Sequence, residues 1–382
     1  MKTQIINLSS PLWQHFLSQL RHDVFHLPAY LALEAARIGA TPQAFLAVQG
    51  SRKFFVPYLL RSCNELFNCE ILPYPLYDVV SPYGYPGILM SEAAAQSPDF
   101  LLEALEQLIL SFQSQQICSA FFRLHPFLNQ NLSQVYPASI CQETGETIGI
   151  DLTQSPEEIW RQTRSDHRKD INRHKRSGWV ARMVPFANYM SEFIEIYRET
   201  MERVSAAQSY YFSYDYFSSL LALEEQLHLC IVEIDNRVAS ACLVTECCGI
   251  VNSFLGGTRN SFLKLAPEKL LFDYVRFWAK ERGNEFFNMG GGVGSSKQDG
   301  VYYFKAGFSH QRRKFLTLRL IVDEQQYSRL VKLRSQSLNV SSDLLLKTSF
   351  FPSYRCSTNA LKEVEQYSDR TLSGVENVPI FR

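Results

Sequence analysis

Apolar positions recur at three- and four-residue steps in several segments of the chain, and at two-residue or unbroken spacing in others. Ser10-Pro11 supplies an N-cap and first-turn pair ahead of an apolar face of Trp13, Phe16, Leu17 and Leu20. Pro28 opens a second helix carrying Leu31, Leu33 and Ala35, which Gly39 stops. The apolar runs 45–48 and 54–56 flank Gln49-Gly50-Ser51 and predict a β-hairpin. Ser97-Pro98 begins a helix over 99–113, followed by a strand at 120–124. A second unit starts near Ile148. It predicts a strand at 148–152, a capping box at Ser155-Pro156-Glu157-Glu158, and an amphipathic helix through Phe186, Met190, Phe193, Tyr197, Met201 and Val204. After a helix near 214–227, the runs 229–234, 238–245 and 250–255 read as an antiparallel meander. Pro267 opens a helix ended by Gly283, and strands are predicted at 286–289 and 315–322. The polar segment from Ser335 onward, with a short helix at 361–367, has too little periodicity for a further domain.

The length of 382 residues predicts two domains, and 46% apolar residues suffice for a sizeable core. Net charge is zero, which argues against a generic nucleic-acid coat and predicts no DNA partner. The zero conceals an asymmetry, however. Residues 1–150 carry 7 Lys+Arg against 11 Asp+Glu, and the remainder carry 31 against 27. The densest positive stretch holds Arg161, Arg164, Arg168, Lys169, Arg173, Lys175 and Arg176 against Asp166 and Asp170. The 9 cysteines are odd in number and contain no CxxC pair, so neither a zinc motif nor a disulfide framework is indicated. Cys247 and Cys248 are neighbours in an expected hairpin turn. His22 and His26 stand four apart without the glutamate or third ligand of a zinc helix. The N-terminus lacks the apolar stretch of a signal peptide, and no run suits a membrane span, so a soluble cytoplasmic protein is expected.

Four stretches, in order, carry a resemblance: SPYGYPG (81–87), FLGGTRNSFLKLAPEKLLFDYVRFWAKERG (254–283), FFNMGGGVG (286–294) and YYFKAGFS (302–309). Together they resemble the FemAB-like superfamily of amide-forming transferases, which have twin GNAT-type modules. The order of elements after residue 148 is that of a GNAT-type acyltransferase module, and residues 1–150 resemble a worn version of it. The implied fold is mixed α/β (α+β), two tandem GNAT-like modules each with a mixed sheet flanked by helices. The N-terminal, acceptor-side module would comprise residues 1–147 and return at about 340–382; the catalytic module would span 148–339. Some members carry a coiled-coil arm in the second module, for which the interval 186–227 has no room.

The resemblance also implies that Lys305, after Phe304, lies near the reacting carbonyl, where a cation stabilises a tetrahedral oxyanion. A surface lysine at a strand end is the ordinary alternative. Asp78, just before SPYGYPG, is the reserve candidate for taking the proton from an attacking amine, and a turn carboxylate is its plainer role. Within SPYGYPG, prolines and glycines fix the backbone while Ser81, Tyr83 and Tyr85 offer hydroxyls and rings to an acceptor. On a helix, Arg161, Arg164, Arg168 and Lys175 would share one side, and with Lys169 and Arg173 they suit donor phosphates. A solvated helix with local ion pairs is the alternative. Gly290, Gly291 and Gly292 complete no nucleotide motif, but they allow backbone to pass close to the donor.

No glycine-rich loop precedes the helix at Pro267, which favours a donor other than CoA. The expected activity is transfer of an aminoacyl group from aminoacyl-tRNA to an amine, on a peptidoglycan-precursor peptide or amino compound. No metal and no tightly bound cofactor are expected. Two alternatives stand: an acyl-CoA-dependent N-acyltransferase in a biosynthetic or exopolysaccharide pathway, and a non-catalytic RNA- or saccharide-binding module.

Overall fold

The computed structural model describes residues 1–67, 74–292 and 299–357. Cys69, Val293-Gly294 and the expected helix at 361–367 lie outside them. Among the described residues one sheet of 13 strands runs through the molecule. In chain order the strands are β1 (Lys2–Asn7), β2 (Thr41–Gln49), β3 (Arg52–Ser62), β4 (Tyr77–Val80), β5 (Leu89–Met90), β6 (Ile117–Arg123), β7 (Cys141–Asp151), β8 (Val180–Val184), β9 (Leu227–Ile234), β10 (Arg237–Cys247), β11 (Ile250–Thr258), β12 (Phe286–Gly290) and β13 (Arg312–Ile321). Their spatial order is β1-β2-β3-β4-β6-β13-β7-β12-β11-β10-β9-β8, with β5 on β3.

This order is nearly a palindrome. Each half is an antiparallel meander that ends in a parallel pair, β4/β6 or β11/β12, joined over the sheet by Pro98–Ser114 or Glu268–Glu281 respectively. The two closing strands then exchange halves: β7, which follows β6, pairs with β12, and β13, which follows β12, pairs with β6. β7 and β13 also pair with each other, so the residue 147/148 position lies inside a strand of the continuous sheet. The fold is thus mixed α/β with two related halves.

The local chemistry explains most elements. Ser155 and Glu158 form the expected capping box, and Gly39 ends Pro28–Ile38 with a left-handed φ of 64°. The aromatic residues Phe45, Phe54, Phe100, Phe112 and Phe122 fill the core of the first half. Ile148, Ile150, Val244, Val251, Val275 and Phe287 pack between sheet and helix in the second. From the C-terminal segment, Leu345, Tyr354 and Cys356 pack against Cys63, Leu76 and Cys118 of the first half. No helix among the described residues is long and apolar enough to cross a membrane.

β11 and β12 pair only over residues 250–252 and 286–288. Beyond Asn252, β11 continues against β10 alone as far as Thr258. Two parallel strands therefore part at their C-terminal ends, the place where open α/β sheets take ligands.

Candidate functional site

Lys305 stands on the helix Gly300–Ala306, not at the strand end its sequence context also allowed. Asp299 caps that helix, accepting from the Tyr302 N–H at 2.8 Å. Phe304 anchors it: the ring lies 5.8 Å from Phe272 and 5.6 Å from Phe308, and its carbonyl accepts from His167 Nε2 at 2.9 Å. Phe304 thus holds the helix while the next residue points elsewhere. Lys305 Nζ donates to the Gly291 carbonyl at 2.8 Å.

Gly290 has φ +74°, and a Cβ there would lie 3.3 Å from the Tyr85 hydroxyl and 3.4 Å from Lys305 Nζ. A Cβ on Gly291 would stand 2.8 Å from the Glu146 carbonyl oxygen, so only glycine fits between that strand and Lys305. Lys305, Tyr85 and Gly290-Gly291, from three separate motifs, thereby meet at one point. Burial brings the Lys305 ammonium down to about 8, opposed by Cys242 and Asp299. Cys242 lies beside it with its thiol pushed up to about 11 by burial, and so remains protonated at neutral pH.

The SPYGYPG loop divides its residues between scaffold and wall. The buried Ser81 hydroxyl accepts from the Arg123 N–H at 3.0 Å, which occupies it within the fold. Tyr83 is fixed by its backbone, its N–H donating to Glu34 at 3.1 Å and its carbonyl accepting from the Tyr30 hydroxyl at 2.9 Å. Its ring lies 6.3 Å from Tyr210 and 6.0 Å from both Phe212 and Phe254. Tyr85 stands edge-on to Phe315 at 5.3 Å. Between them Gly84, at φ +90°, lies so close to Phe25 that a Cβ would fall 2.3 Å from its ring. A cavity of about 470 Å³ shares Phe212 with this aromatic wall and is lined also by Arg37, Tyr211 and Tyr216.

Arg123, at the end of β6, belongs to none of the motifs above. Its guanidinium lies 5.2 Å over the Phe121 ring, and burial lowers its proton affinity while the Tyr210 and Tyr83 hydroxyls and Glu34 act in the opposite direction. Among the described residues it has no ion pair. Its one sign in the sequence is that of a lone cation closing an otherwise apolar strand.

Asp78 lies apart from Lys305. Its buried carboxylate accepts from Arg61 at 2.8 Å, from the Tyr354 hydroxyl at 3.0 Å and from Arg355, which ties the C-terminal segment to β4. The basic stretch forms two helices, Pro156–Arg161 and Ser165–Arg176, so Arg161 and Arg164 do not continue the stripe of the second. Arg164 bonds Asp166 at 2.6 Å and the Tyr303 carbonyl at 3.2 Å, stacking 4.1 Å over the Tyr303 ring. It therefore braces the Lys305 helix. Arg173 pairs with Asp170 at 3.0 Å and Lys175 with Asp273 at 2.7 Å. Arg168 and Lys169 have no ion pair among the described residues. Gly292 lies against the Asp299 cap, where a Cβ would stand 2.6 Å from its carboxylate.

A buried chain supports the glycines from behind. His125 Nδ1 accepts from the Phe127 and Leu128 N–H groups at 3.1 and 3.2 Å, so Nε2–H donates to Asp23 at 2.9 Å. Asp23 accepts from Asn252 at 2.9 Å, Asn252 from Asn288 at 3.0 Å, and Asn288 from the Gly290 N–H at 3.0 Å. The chain crosses from the first half of the fold to the second and ends at the glycine beside Lys305. Asn288 and Gly290 lie in FFNMGGGVG, whereas Asp23, His125 and Asn252 lie singly in separate segments outside the motifs.

Residues 161–306 match the family described as an acetyltransferase (GNAT) domain, which includes the Lys305 helix and the parting strands. No curated protein matches the chain by sequence. Among solved structures it is similar to FemX, with a TM-score of 0.65 at 12% identity over 86% of this chain and 99% of that one. It is also similar to L-PGS from Bacillus licheniformis, with a TM-score of 0.51 at 14% identity over 89% of this chain and 99% of that one. The domain match supports an acyltransferase, and the likeness to the solved structures shows a shared fold.

Proposed function

The chain has the FemAB-like twin-GNAT fold, and on that premise we propose that it forms amide bonds by moving an aminoacyl group from aminoacyl-tRNA to an amine acceptor. The acceptor class is a peptidoglycan-precursor peptide or a related amino compound. The observation that carries the reading is the half-buried Lys305 ammonium, beside the Tyr85 hydroxyl and Gly290, where β11 and β12 part.

The amine nitrogen attacks the ester carbonyl, and the negative charge that develops on its oxygen is stabilised by the Lys305 ammonium. Collapse breaks the ester C–O bond, the ribose oxygen takes up the proton that the attacking nitrogen gives up, and the amide is left. Attack needs an amine that has lost its proton, and solvent water can take it. Arg123 supplies a cation to an acceptor carboxylate, and Tyr83 and Tyr85 flank the acceptor. On the second half Lys169 is exposed and Arg168 half-buried, where a polyanionic donor can meet them.

The start of helix Glu268–Glu281 favours a donor other than CoA. Glu268, whose burial raises its pKa, accepts from the Thr258 hydroxyl at 3.2 Å in the first turn, so an acidic group occupies the position where a pyrophosphate needs free N–H groups. The acyl-CoA alternative rests on the acetyltransferase (GNAT) domain match.

Purified protein supplied with charged tRNA and an amine acceptor should give an amide product that disappears after ribonuclease treatment. Product from acyl-CoA that survives ribonuclease would establish the alternative. No transfer from either donor, with retained saccharide or RNA binding, would establish a binding module.

A further inference from the structure

His22, Cys247 and Cys248 meet on the side of the sheet junction marked by Arg21 and Glu285, away from the groups that converge on Lys305. Cys247 ends β10 in the turn to β11, and Cys248 adopts φ +46°. Successive strand residues normally point to opposite faces. The left-handed turn instead brings the two sulfurs within 3.9 Å of each other. His22 comes from 226 positions away, placing Nε2 at 3.5 Å and Nδ1 at 3.6 Å from Cys248 Sγ. Among the described residues this is the only group of three His, Cys, Asp or Glu side chains whose ligand atoms lie within 4.8 Å of one another.

We propose that His22, Cys247 and Cys248 form a three-ligand site for a borderline-soft divalent cation of the Zn²⁺ class. Tetrahedral zinc with Zn–S of about 2.3 Å and Zn–N of about 2.05 Å requires S···S near about 3.8 Å and S···N near about 3.5 Å. The sulfur separation of 3.9 Å fits as it stands, and because Cys248 Sγ is nearly equidistant from the two ring nitrogens, the His22 imidazole must turn for Nε2 alone to face the ion. The second independent sign is the backbone support of the imidazole. His22 Nδ1 lies 2.9 Å from the Leu20 carbonyl, to which it donates, so that Nε2 carries the lone pair. A backbone carbonyl on the remote ring nitrogen is the usual support of a metal-binding histidine.

Metal binding displaces the protons of both thiols. Cys247 is buried while Cys248 is exposed, so the fourth coordination position faces solvent. The ion would join the segment that carries Asp23 to the β10–β11 turn. The sequence conceals the site because no metal-binding spacing links a lone histidine to an adjacent cysteine pair.

The full-length reduced protein, titrated anaerobically with Co²⁺, should develop a thiolate-to-metal charge-transfer band that saturates at one equivalent and is abolished by Zn²⁺. His22→Ala and Cys248→Ser should each weaken Co²⁺ binding by more than the roughly 10–100-fold that loss of an outer-shell partner costs. Cys248 is exposed, so its variant should keep the wild-type far-ultraviolet circular dichroism and remain interpretable if Cys247→Ser does not fold. Absence of the band in reduced wild-type protein, or an unchanged band in both His22→Ala and Cys248→Ser, overturns the site. Loss of 2 mass units on air oxidation with no Co²⁺ binding beforehand would instead identify a dithiol–disulfide pair and equally overturn it.

Discussion

A lysine brought down to about 8 can serve as a cation below that pH and as a base above it, and the two roles have opposite signs. If the ammonium holds the oxyanion, the charged form is required, and its contribution is lost as pH rises through about 8. An arginine at the same place stays charged throughout. The ratio of Lys305→Arg to wild-type turnover should therefore rise between pH 7 and pH 9.5. The acceptor's own ionisation is common to both proteins and cancels in the ratio. A ratio that falls over this range would make Lys305 a general base. Lys305, Tyr85 and Gly290 are legible in the sequence because each lies in a short motif of unusual residues. Arg123 is not, since it is a single cation ending an apolar strand. Nor is the Asp23–His125–Asn252 chain, whose members lie 102 and 229 positions apart and bond only after the halves meet.

Among the elements, the basic helix departs most from its pattern. Charge density points to Arg161–Arg176, but the chain turns at 162–164, where buried Arg276 donates to the Thr163 hydroxyl at 2.7 Å. The turn separates the two helices, so the four-residue spacing of cations does not give one stripe. Of the expected donor-binding residues, Arg164, Arg173 and Lys175 are engaged within the protein, which leaves Arg168 and Lys169 on the second helix, and Arg161 at the end of the first, for phosphate. Arg168→Glu with Lys169→Glu should weaken donor binding and make the slope of log affinity against log salt shallower by about 0.7–0.9 for each phosphate no longer neutralised. Equal slopes in the variant and wild type would return the helix to a solvated surface. The edge strands β1 and β8 escape sequence reasoning for a different reason. Each has one neighbour and few buried positions, so neither shows clear alternation. The strands of the meander β9–β11 are buried along most of their length and each crossover helix buries one face, so their signals are correspondingly clear.

Taken together, the 13 strands make one sheet of two halves joined by an exchange. This arrangement is not legible in the sequence, because β7 and β13 would show the same apolar pattern whichever strands they joined. The resemblance implies a C-terminal return to the first half, and its physical form is a charge tie. Asp78 receives Arg61, Arg355 and the Tyr354 hydroxyl at the end of β4. Asp78→Ala leaves two largely buried guanidiniums without their carboxylate and should lower stability by about 3 kcal/mol in chemical denaturation. The folded fraction should retain turnover, because none of these groups touches Lys305. Loss of turnover at unchanged stability would restore Asp78 as a proton acceptor.

The proposed reaction depends above all on the Lys305 ammonium, held between Gly291 and Tyr85, stabilising the transferred carbonyl during amide formation. Single-turnover transfer by Lys305→Ala, with acceptor affinity measured separately on the same protein, isolates that role. Loss of one oxyanion donor predicts a rate lower by about 10²–10³-fold with acceptor Kd within twofold of wild type. A rate within twofold of wild type would contradict the assignment.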